Sequence, residues 1–311
     1  MLEVTASHVT RNDSREEPNM AGKEVTKTDE KGTEVAVSTG FDYGEYSHAG
    51  FEGTTINDLA IPFVNVLQPM SPEVVEGTVE DARAGDLLNS VTKEIIKQPL
   101  IVIPVFKEVS VVEWVPRSKG GGLVDRHDPD GEIYTKVIKD NGGSRIPPKD
   151  ADGKRIAFKS PSGNDLVETY YVYCLIMDET GTESEGYCVL SFTSTKIKVH
   201  KNWMTSMYTI KGRPPIFANR CKISTVREIR DSGTSFNYKI GPMNATWKDS
   251  LIPPNTDQGM ALLKEAKEFG DMIEQGLARA DFESISDSGP DIEGQGGDTK
   301  ASNDGDGEIP F

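Results

Sequence analysis

Basic and aromatic residues are interleaved over residues 191–250, a combination that supplies both positive charge and flat rings for stacking. The segment contains eleven Lys/Arg, three acidic residues and seven Phe, Tyr or Trp, which gives it a local charge of +8. Cations neutralise nucleic-acid phosphates, and flat rings stack on unpaired bases of any sequence. The segment therefore predicts a surface for single-stranded DNA with little sequence preference. The candidate contacts are Lys196, Lys198, Lys201, Trp203, Tyr208, Lys211, Arg213, Arg220, Lys222, Arg227 and Lys239.

Only some of the seven rings can serve this purpose. Alternation along strands buries about half of the side chains, so we expect roughly two to four rings to touch DNA. Trp203 lies in a lysine-rich helix predicted for residues 195–208, which makes it the strongest stacking candidate. Phe236 and Tyr238 share one face of a predicted strand. If that face points inward, both rings belong to the core and the neighbouring Lys239 makes the contact.

A second candidate site is the acidic segment 281–311. It has nine acidic residues against one lysine, a charge of −8, and it closes on an apolar tripeptide. The rest of the segment is polar and glycine-rich, so we expect it to be disordered. A proline-stiffened tip with a free carboxylate suits an apolar pocket with a basic rim. The alternative is a solubilising tail with an accidental apolar end. The predicted interaction residues are Asp304, Asp306, Glu308, Ile309, Pro310 and Phe311.

The ending NDGDGEIPF resembles the C-terminal tail of the bacterial single-stranded-DNA-binding proteins. In that family the tip recruits replication and repair proteins, and the acids compete with DNA for the protein's own binding surface. The resemblance implies the same two roles here, with a polymerase, helicase, primase or nuclease as the partner. Glycines separate Asp304, Asp306 and Glu308 in this chain, which dilutes the charge that competes with DNA.

The middle of the chain is similar to a group of phage-encoded proteins taken to bind single-stranded DNA. The segments that carry this similarity are EWVPRSKGGGLVDRHDPDG, SFTSTKIKVHKNWMTSM and PPIFANRCKISTV. The similarity implies that Arg117 and Lys119, which precede three glycines, lie near the DNA groove. Glycines allow a phosphate to approach the backbone closely. The alternative for this segment is a simple glycine-rich hairpin end.

Enzyme classes find little support in the sequence. It lacks the Walker, GxGxxG, GxSxG and HExxH motifs. The run 125–130 (DRHDPD) could imitate a metal site, but in a Pro/Gly-rich region aspartates most often serve turns. His200 beside Lys201 is better explained as a phosphate neighbour than as a general base. We therefore expect no catalytic residues, no metal and no cofactor.

Composition places most of the ordered chain in one domain. The net charge of −16 argues against nucleic-acid binding, but the negative charge lies outside the basic segment. Residues 1–40 are polar and without periodicity, which predicts disorder. We expect an ordered domain over 41–255, an amphipathic helix packed on it over 256–280, and the acidic tail over 281–311. No apolar run predicts a membrane span or a secretory signal. Three widely spaced cysteines suit a reducing cytosol.

Most of the predicted elements are strands. Runs rich in β-branched and aromatic residues predict strands at 61–68, 99–116, 166–177, 186–194, 215–229 and 235–242. Pro104 predicts an edge position or a bend. Residues 118–168 predict short hairpins and loops, and 85–96 are ambiguous. We expect a mainly β domain, an OB-fold-like barrel with a long insertion, with a β-sandwich as the alternative.

The sequence thus predicts a phage-encoded, single-stranded-DNA-binding protein of replication, recombination or repair in the bacterial cytoplasm. Its acidic tail would compete for the basic surface and recruit partners once DNA displaces it. One alternative is a scaffold or adaptor that docks on a host replication protein through the tail and never touches DNA. Another is a strand-annealing protein. Oligomeric state, site size, cooperativity and a preference for DNA over RNA are left open by the sequence.

Overall fold

The structure is a computed structural model that describes residues 24–28, 34–38 and 49–282, except 152, 154, 231 and 232. For the residues before 49, and for 57, 117 and 230, only the backbone is described. The chain divides into two units, residues 1–54 and 55–311. The first contains an antiparallel hairpin of β1 (Glu24–Thr28) and β2 (Glu34–Ser38), in which Glu24 lies opposite Ser38. The sequence did not predict this hairpin, although Val25, Val35 and Val37 alternate with other residues as in a strand.

The second unit contains the remaining strands and the helices. Its strands are β3 (Val64–Val66), β4 (Leu87–Asn89), β5 (Ile95–Ile96), β6 (Leu100–Trp114), β7 (Leu123–His127), β8 (Phe158–Lys159), β9 (Asp165–Met177), β10 (Ser184–Thr193), β11 (Cys221–Arg230) and β12 (Gly233–Pro242). Its α-helices are α1 (Pro72–Val75), α2 (Glu132–Asp140), α3 (Lys196–Tyr208) and α4 (Asp257–Glu274). Short 3-10 turns occur at Ile56–Asp58, Arg117–Lys119 and Ile216–Ala218.

A large antiparallel sheet organises this unit. Its order is β10-β9-β6-β11-β12, with β7 paired to β6 and β8 paired to β9. The long strand β6 pairs with β9 from Ile101 to Trp114, and the register shifts between Pro104 and Phe106. Of the two predictions for Pro104, the edge position is wrong, because β6 lies between β9 and β11; the register shift is consistent with the predicted bend, because proline has no N–H for the ladder. On its other side β6 pairs with β11 near its start and with β7 near its end.

The sheet packs against other elements on both faces. One face packs on α4 through a cluster that includes Ile101, Leu175 and Phe269. The other face packs on α3 and on a second sheet, β3-β4-β5, through a cluster that includes Val172 and Trp203. Farther along that second face, Tyr134 of α2 packs on Phe158 and Leu166. The three cysteines are buried and free.

Helix α4 begins and ends by recognisable local chemistry. The Thr256 hydroxyl accepts a hydrogen bond from the Gly259 N–H, which caps the first turn. Gly270 lies against β6, since a Cβ there would come within 3.1 Å of the Val105 carbonyl oxygen. The helix stops at Glu274, and Gly276 follows with a φ of 71°. The predicted helix over 256–280 is therefore too long, and Leu277 is 46 % exposed because it lies beyond the last turn.

Both edges of the large sheet are covered at specific points. At the β10 edge, Phe63 forms a parallel bridge to Val189, and Ile61 forms one to Ala280. At the β12 edge, the side chain of Gln68 accepts from the Phe236 N–H and donates to the Phe236 carbonyl, both at 2.9 Å. Such contacts occupy backbone groups at the edge that could otherwise form hydrogen bonds with a strand of another molecule. The ladders between described strands keep an open order from β10 to β12.

The predicted fold class agrees with this architecture. The domain is mainly β, with several antiparallel sheets and few helices, so the mainly β prediction is confirmed. The strands predicted at 99–116, 166–177 and 186–194 appear as β6, β9 and β10. Helix α2 was not predicted, because its segment lies between glycine- and proline-rich stretches. Residues 215–220 precede β11 and are not part of the strand; they contain the 3-10 turn Ile216–Ala218, with Pro215 as its N-cap.

Candidate nucleic-acid interface

Helix α3 has a buried face that packs on the core and an exposed basic face on the other side. His200, Trp203 and Met207 are buried, and their spacing of three and four residues places them on one side of the helix. Lys198, Lys201 and Tyr208 are exposed on the other side. The predicted helix is confirmed. It begins at Lys196, and the side chain of its N-cap residue, Thr195, accepts no hydrogen bond from the first turn.

Trp203 is a core residue, and its predicted role in base stacking is wrong. The side chain is 2 % exposed, its Nε1 donates to the Cys221 Sγ at 3.4 Å, and its ring packs 6.0 Å from that of Phe192. Phe192 and Tyr238 are buried in the same cluster. Phe217, Phe236 and Trp247 are half-buried, which leaves Tyr208 as the exposed ring of the seven. As the alternative for Phe236 and Tyr238 foresaw, their face points inward and Lys239 is exposed.

His200 also belongs to the core. Its ring lies 4.7 Å from that of Tyr170 and 5.3 Å from that of Phe192. Burial lowers the pKa of His200 to about 4, helped by the nearby positive charges of Lys107 and Lys201. The imidazole is therefore neutral at pH 7 and adds no charge to the surface. Its expected place beside a phosphate is wrong, because a side chain at 5 % exposure does not reach the solvent.

The outward face of α3 continues into the segment after it as one basic surface. Tyr208 is 62 % exposed, and the guanidinium of Arg213 lies 4.7 Å from the centre of its ring. Lys198 and Tyr208 are ten residues apart on the helix, a distance of about 15 Å. Lys211 is exposed in the turn between Tyr208 and Arg213. We call this surface the α3 ridge; it consists of Lys198, Lys201, Tyr208, Lys211 and Arg213.

No acidic residue of the same segment opposes these charges. Between Glu185 and Glu228 the chain has no Asp or Glu, whereas it has eight Lys/Arg. Cations that have no carboxylate partner are free to bind phosphate, and the exposed aromatic ring beside them adds a stacking surface. Lys107 of β6 adds positive charge near α3, because it helps to lower the pKa of the buried His200. Lys107 is not among the predicted contacts, although it forms a polar break in the strand together with Glu108.

Two other predicted cations lie on the α3 side of the sheet. The Lys196 Nζ lies 5.2 Å from the centre of the Tyr238 ring, at the start of α3. Arg227 is exposed on β11, opposite Phe236, and points to the same face as Tyr238 because residues two apart on a strand share a face. These two residues therefore extend the basic surface from α3 towards the β11–β12 hairpin.

Lys222 and Lys239 lie on the other face. Lys222 pairs with Ile101, whose side chain belongs to the core under α4, and Lys239 pairs with Ser224. Both lysines are exposed. The structure thus divides the predicted basic set between two faces of the sheet.

The side chain of Arg220 is bonded to the backbone of other segments. Its guanidinium donates to the carbonyl oxygens of Ser250, Gly181 and Leu251 at 3.2–3.3 Å. Burial lowers its pKa. With its donors directed at backbone oxygens, Arg220 is not available to a phosphate in this structure, and its predicted role in binding DNA is wrong. The sequence carried no signal of this, because the three carbonyls come from distant segments.

The glycine-rich turn lies beyond the end of β6. It follows Trp114, the last residue of β6, whereas β10 ends at the level of Ser110, where α3 begins. Gly120, Gly121 and Gly122 all have positive φ, and a Cβ on any of them would meet open space. Lys119 is exposed. The expectation that Arg117 and Lys119 adjoin the groove therefore stays a prediction, and the side chain of Arg117 is not described.

The 125–130 segment makes two side-chain contacts to β6: a partly buried ion pair and a histidine–carboxylate hydrogen bond. Arg126 bonds to Glu108 at 2.6 Å and stacks over Phe282 at 3.5 Å. His127 bonds to Glu113 at 2.7 Å. Burial alone would raise the pKa of Glu113, but hydrogen bonds hold it at about 2; they come from Ser160, Asn164, His127 and Ser162. In the part of the chain that the structure describes, no group of three or more His, Cys, Asp or Glu is arranged to hold a metal.

The acidic tail begins at an anchored residue. Phe282 packs edge-on against Phe63 and Tyr171, with ring centres 5.5 and 5.3 Å away. The predicted interaction residues from Asp304 to Phe311 lie outside the described residues. The internal Ile61-Pro62-Phe63 repeats the terminal tripeptide, and Ile61 and Phe63 are buried in the core. None of the helices within the described ranges is both long enough and apolar enough to cross a bilayer.

Fold and interface together define a mainly β protein whose sheet carries a basic, acid-free helix on one face. Comparison with known families gives a more particular assignment. A family model described as "Pam3 phage gp34-like protein" matches residues 29–279. The chain belongs to this family of phage proteins. Searches of curated proteins and of solved structures found no match.

Proposed function

We propose that the protein binds single-stranded DNA without sequence preference during phage DNA replication or recombination, in the cytoplasm of the bacterial host. It acts by binding, without catalysis and without a cofactor. The observation that carries this proposal is the α3 ridge, which places four cations and an exposed Tyr208 together in a stretch without acids. Membership of a phage family is consistent with this role.

The ridge suits a single strand better than a folded protein partner. Lysines spaced along a helix follow successive phosphates, and binding releases their condensed counterions. The Tyr208 ring, with Arg213 against it, offers a surface on which an unpaired base can stack. A stacked base contributes about 1–3 kcal/mol whatever its identity.

The acidic tail would compete for this surface and recruit partners when DNA displaces it. Its charge of −8 opposes the +8 of residues 191–250. Twenty-nine residues follow Phe282, and at about 3.3–3.6 Å per residue they can reach roughly 100 Å. That reach is sufficient to bring the acids from Phe282 to the α3 ridge. The terminal Phe311 would then dock in an apolar pocket of a polymerase, helicase, primase or nuclease.

Charge reversal of the ridge tests the proposal. The variant Lys198→Glu/Lys201→Glu should bind oligo-dT at least tenfold more weakly, measured by fluorescence anisotropy of a labelled strand. Two lost phosphate contacts should reduce the slope of log affinity against log salt by about 1.4. The matched control is Lys136→Glu/Lys139→Glu, which reverses two exposed lysines of α2 away from the ridge.

The same experiment separates the alternatives. Unchanged affinity in the ridge variant, together with an unchanged thermal unfolding curve, would contradict DNA binding through α3. The adaptor function, in which the protein never touches DNA, predicts no measurable affinity for oligo-dT in the wild type or in either variant. A strand-annealing function predicts, in addition to binding, faster pairing of complementary strands, which a duplex-formation assay measures.

A further inference from the structure

The β11–β12 hairpin carries a second basic surface. Lys222 lies opposite Gly241, and Lys239 lies opposite Ser224, so the two lysines are diagonal neighbours on one face. Both are exposed, and the space where a Cβ of Gly241 would stand is open. No ion pair to either lysine occurs among the described residues. These two charges are therefore available to a ligand.

This surface faces away from α3. Lys222 pairs with Ile101, which lies in the core under α4. The adjacent residues Cys221 and Ile223 point to the opposite face, where Cys221 contacts Trp203 of α3. The α3 ridge and the Lys222–Lys239 surface thus lie on the two sides of one sheet.

The outer edge of β12 lies between the two surfaces. β12 is the last strand in the order of the large sheet, and α3 packs directly against it, with Lys196 over the Tyr238 ring. Gln68 occupies that edge at Phe236, and Lys239 lies three residues farther along the strand. A ligand that turns around this edge can therefore contact both surfaces.

We propose that bound DNA follows a path from the α3 ridge around the edge of β12 to Lys222 and Lys239. This inference rests on the proposed function and explains how the protein distinguishes single strands from duplexes. A single strand can bend around the edge of a sheet. A duplex has a persistence length of about 150 bp and resists a turn over so short a distance. A duplex therefore reaches only one of the two surfaces.

The test uses oligo-dT of two lengths with the variant Lys222→Glu/Lys239→Glu. Binding sites of single domains span about 4–16 nucleotides. With a strand of about 16 nucleotides the variant should bind at least fivefold more weakly, with a salt slope reduced by about 1.4. With a strand of about 4 nucleotides, which covers the ridge alone, its affinity should equal that of the wild type. Its affinity for duplex DNA should be unchanged as well.

The ridge variant Lys198→Glu/Lys201→Glu makes the two proposals distinguishable. If it weakens binding but Lys222→Glu/Lys239→Glu binds the long strand with wild-type affinity and slope, the path around β12 is refuted and the proposed function remains. If neither variant changes binding, both are refuted. Equal weakening of the short and the long strand by Lys222→Glu/Lys239→Glu would also contradict the path. The variant Lys136→Glu/Lys139→Glu controls for net charge, and thermal unfolding verifies that every variant is folded.

Discussion

At the residue scale, Trp203 and Tyr208 have exchanged the roles that their types suggest. The larger ring fills the core and donates to the Cys221 Sγ, whereas the smaller ring is exposed with Arg213 against it. The phase of the helix decides this, because Trp203 shares a face with His200 and Met207. Composition alone does not reveal that phase when both faces of a helix contain apolar residues.

Tyr208→Ala tests the exposed ring. Its loss should weaken binding to oligo-dT by about 1–3 kcal/mol, the contribution of one stacked base. The folded state should keep its stability, because the side chain is 62 % exposed. Anisotropy titrations at one salt concentration measure the affinity. Tyr208→Phe retains the ring and should bind like the wild type; equal losses in both variants would exclude stacking as the role of this residue.

Glu113 is predicted to make stability depend on acid pH. Its pKa is about 2 in the folded state and 4.5 in the reference state. A depressed carboxyl pKa stabilises the fold above the reference value, and this contribution is lost as the pH falls towards 2. The difference corresponds to roughly 3 kcal/mol. In urea unfolding between pH 5 and pH 2, Glu113→Gln should lose less stability than the wild type.

The control for this prediction is Glu185→Gln, which removes an exposed carboxylate of β10. It should follow the wild-type profile. If the stability of Glu113→Gln falls with pH in parallel with that of the wild type, the hydrogen bonds from Ser160, Ser162 and Asn164 do not determine the loss of stability in acid.

At the element scale, the strands were more predictable than their arrangement. The β-branched runs of β6, β9 and β10 determine their type locally, and Pro104 marks the bend. What the sequence could not show is which strands are neighbours, because pairings such as β6 with β11 join residues more than a hundred positions apart. For that reason the basic residues, which are continuous in sequence, are divided between two faces. Arg220 was misassigned for the same reason.

The β12 edge offers a test at this scale. Gln68→Ala removes both bonds to the Phe236 backbone and leaves a half-buried N–H and C=O without this partner. Stability should fall by about 1–3 kcal/mol, measured by urea unfolding. Gln258→Ala is the control, since that exposed side chain makes only a 3.5 Å bond to Thr182. A stability loss no greater than that of the control would contradict the role of Gln68 in covering the edge.

At the scale of the whole molecule, charge is separated along the chain. The basic segment lies in the folded domain, and the acidic residues from 283 onward follow the anchored Phe282. Deletion of 283–311 should strengthen binding of oligo-dT at low salt, because a competing polyanion is removed. Deletion of Phe311 alone should leave DNA affinity unchanged while abolishing capture of a replication partner. Equal affinities of the full chain and the 283–311 deletion at low salt would contradict the competition.

The central claim is that the protein prefers single strands, and anisotropy with labelled oligo-dT and with duplex of equal length tests it most directly. Anisotropy is preferred to tryptophan fluorescence, because Trp114 and Trp203 are buried and Trp247 is half-buried. The account predicts tighter binding to the single strand, and loss of that preference in the variant that combines Lys198→Glu, Lys201→Glu, Lys222→Glu and Lys239→Glu. Equal affinity of the wild type for single strand and duplex would contradict it.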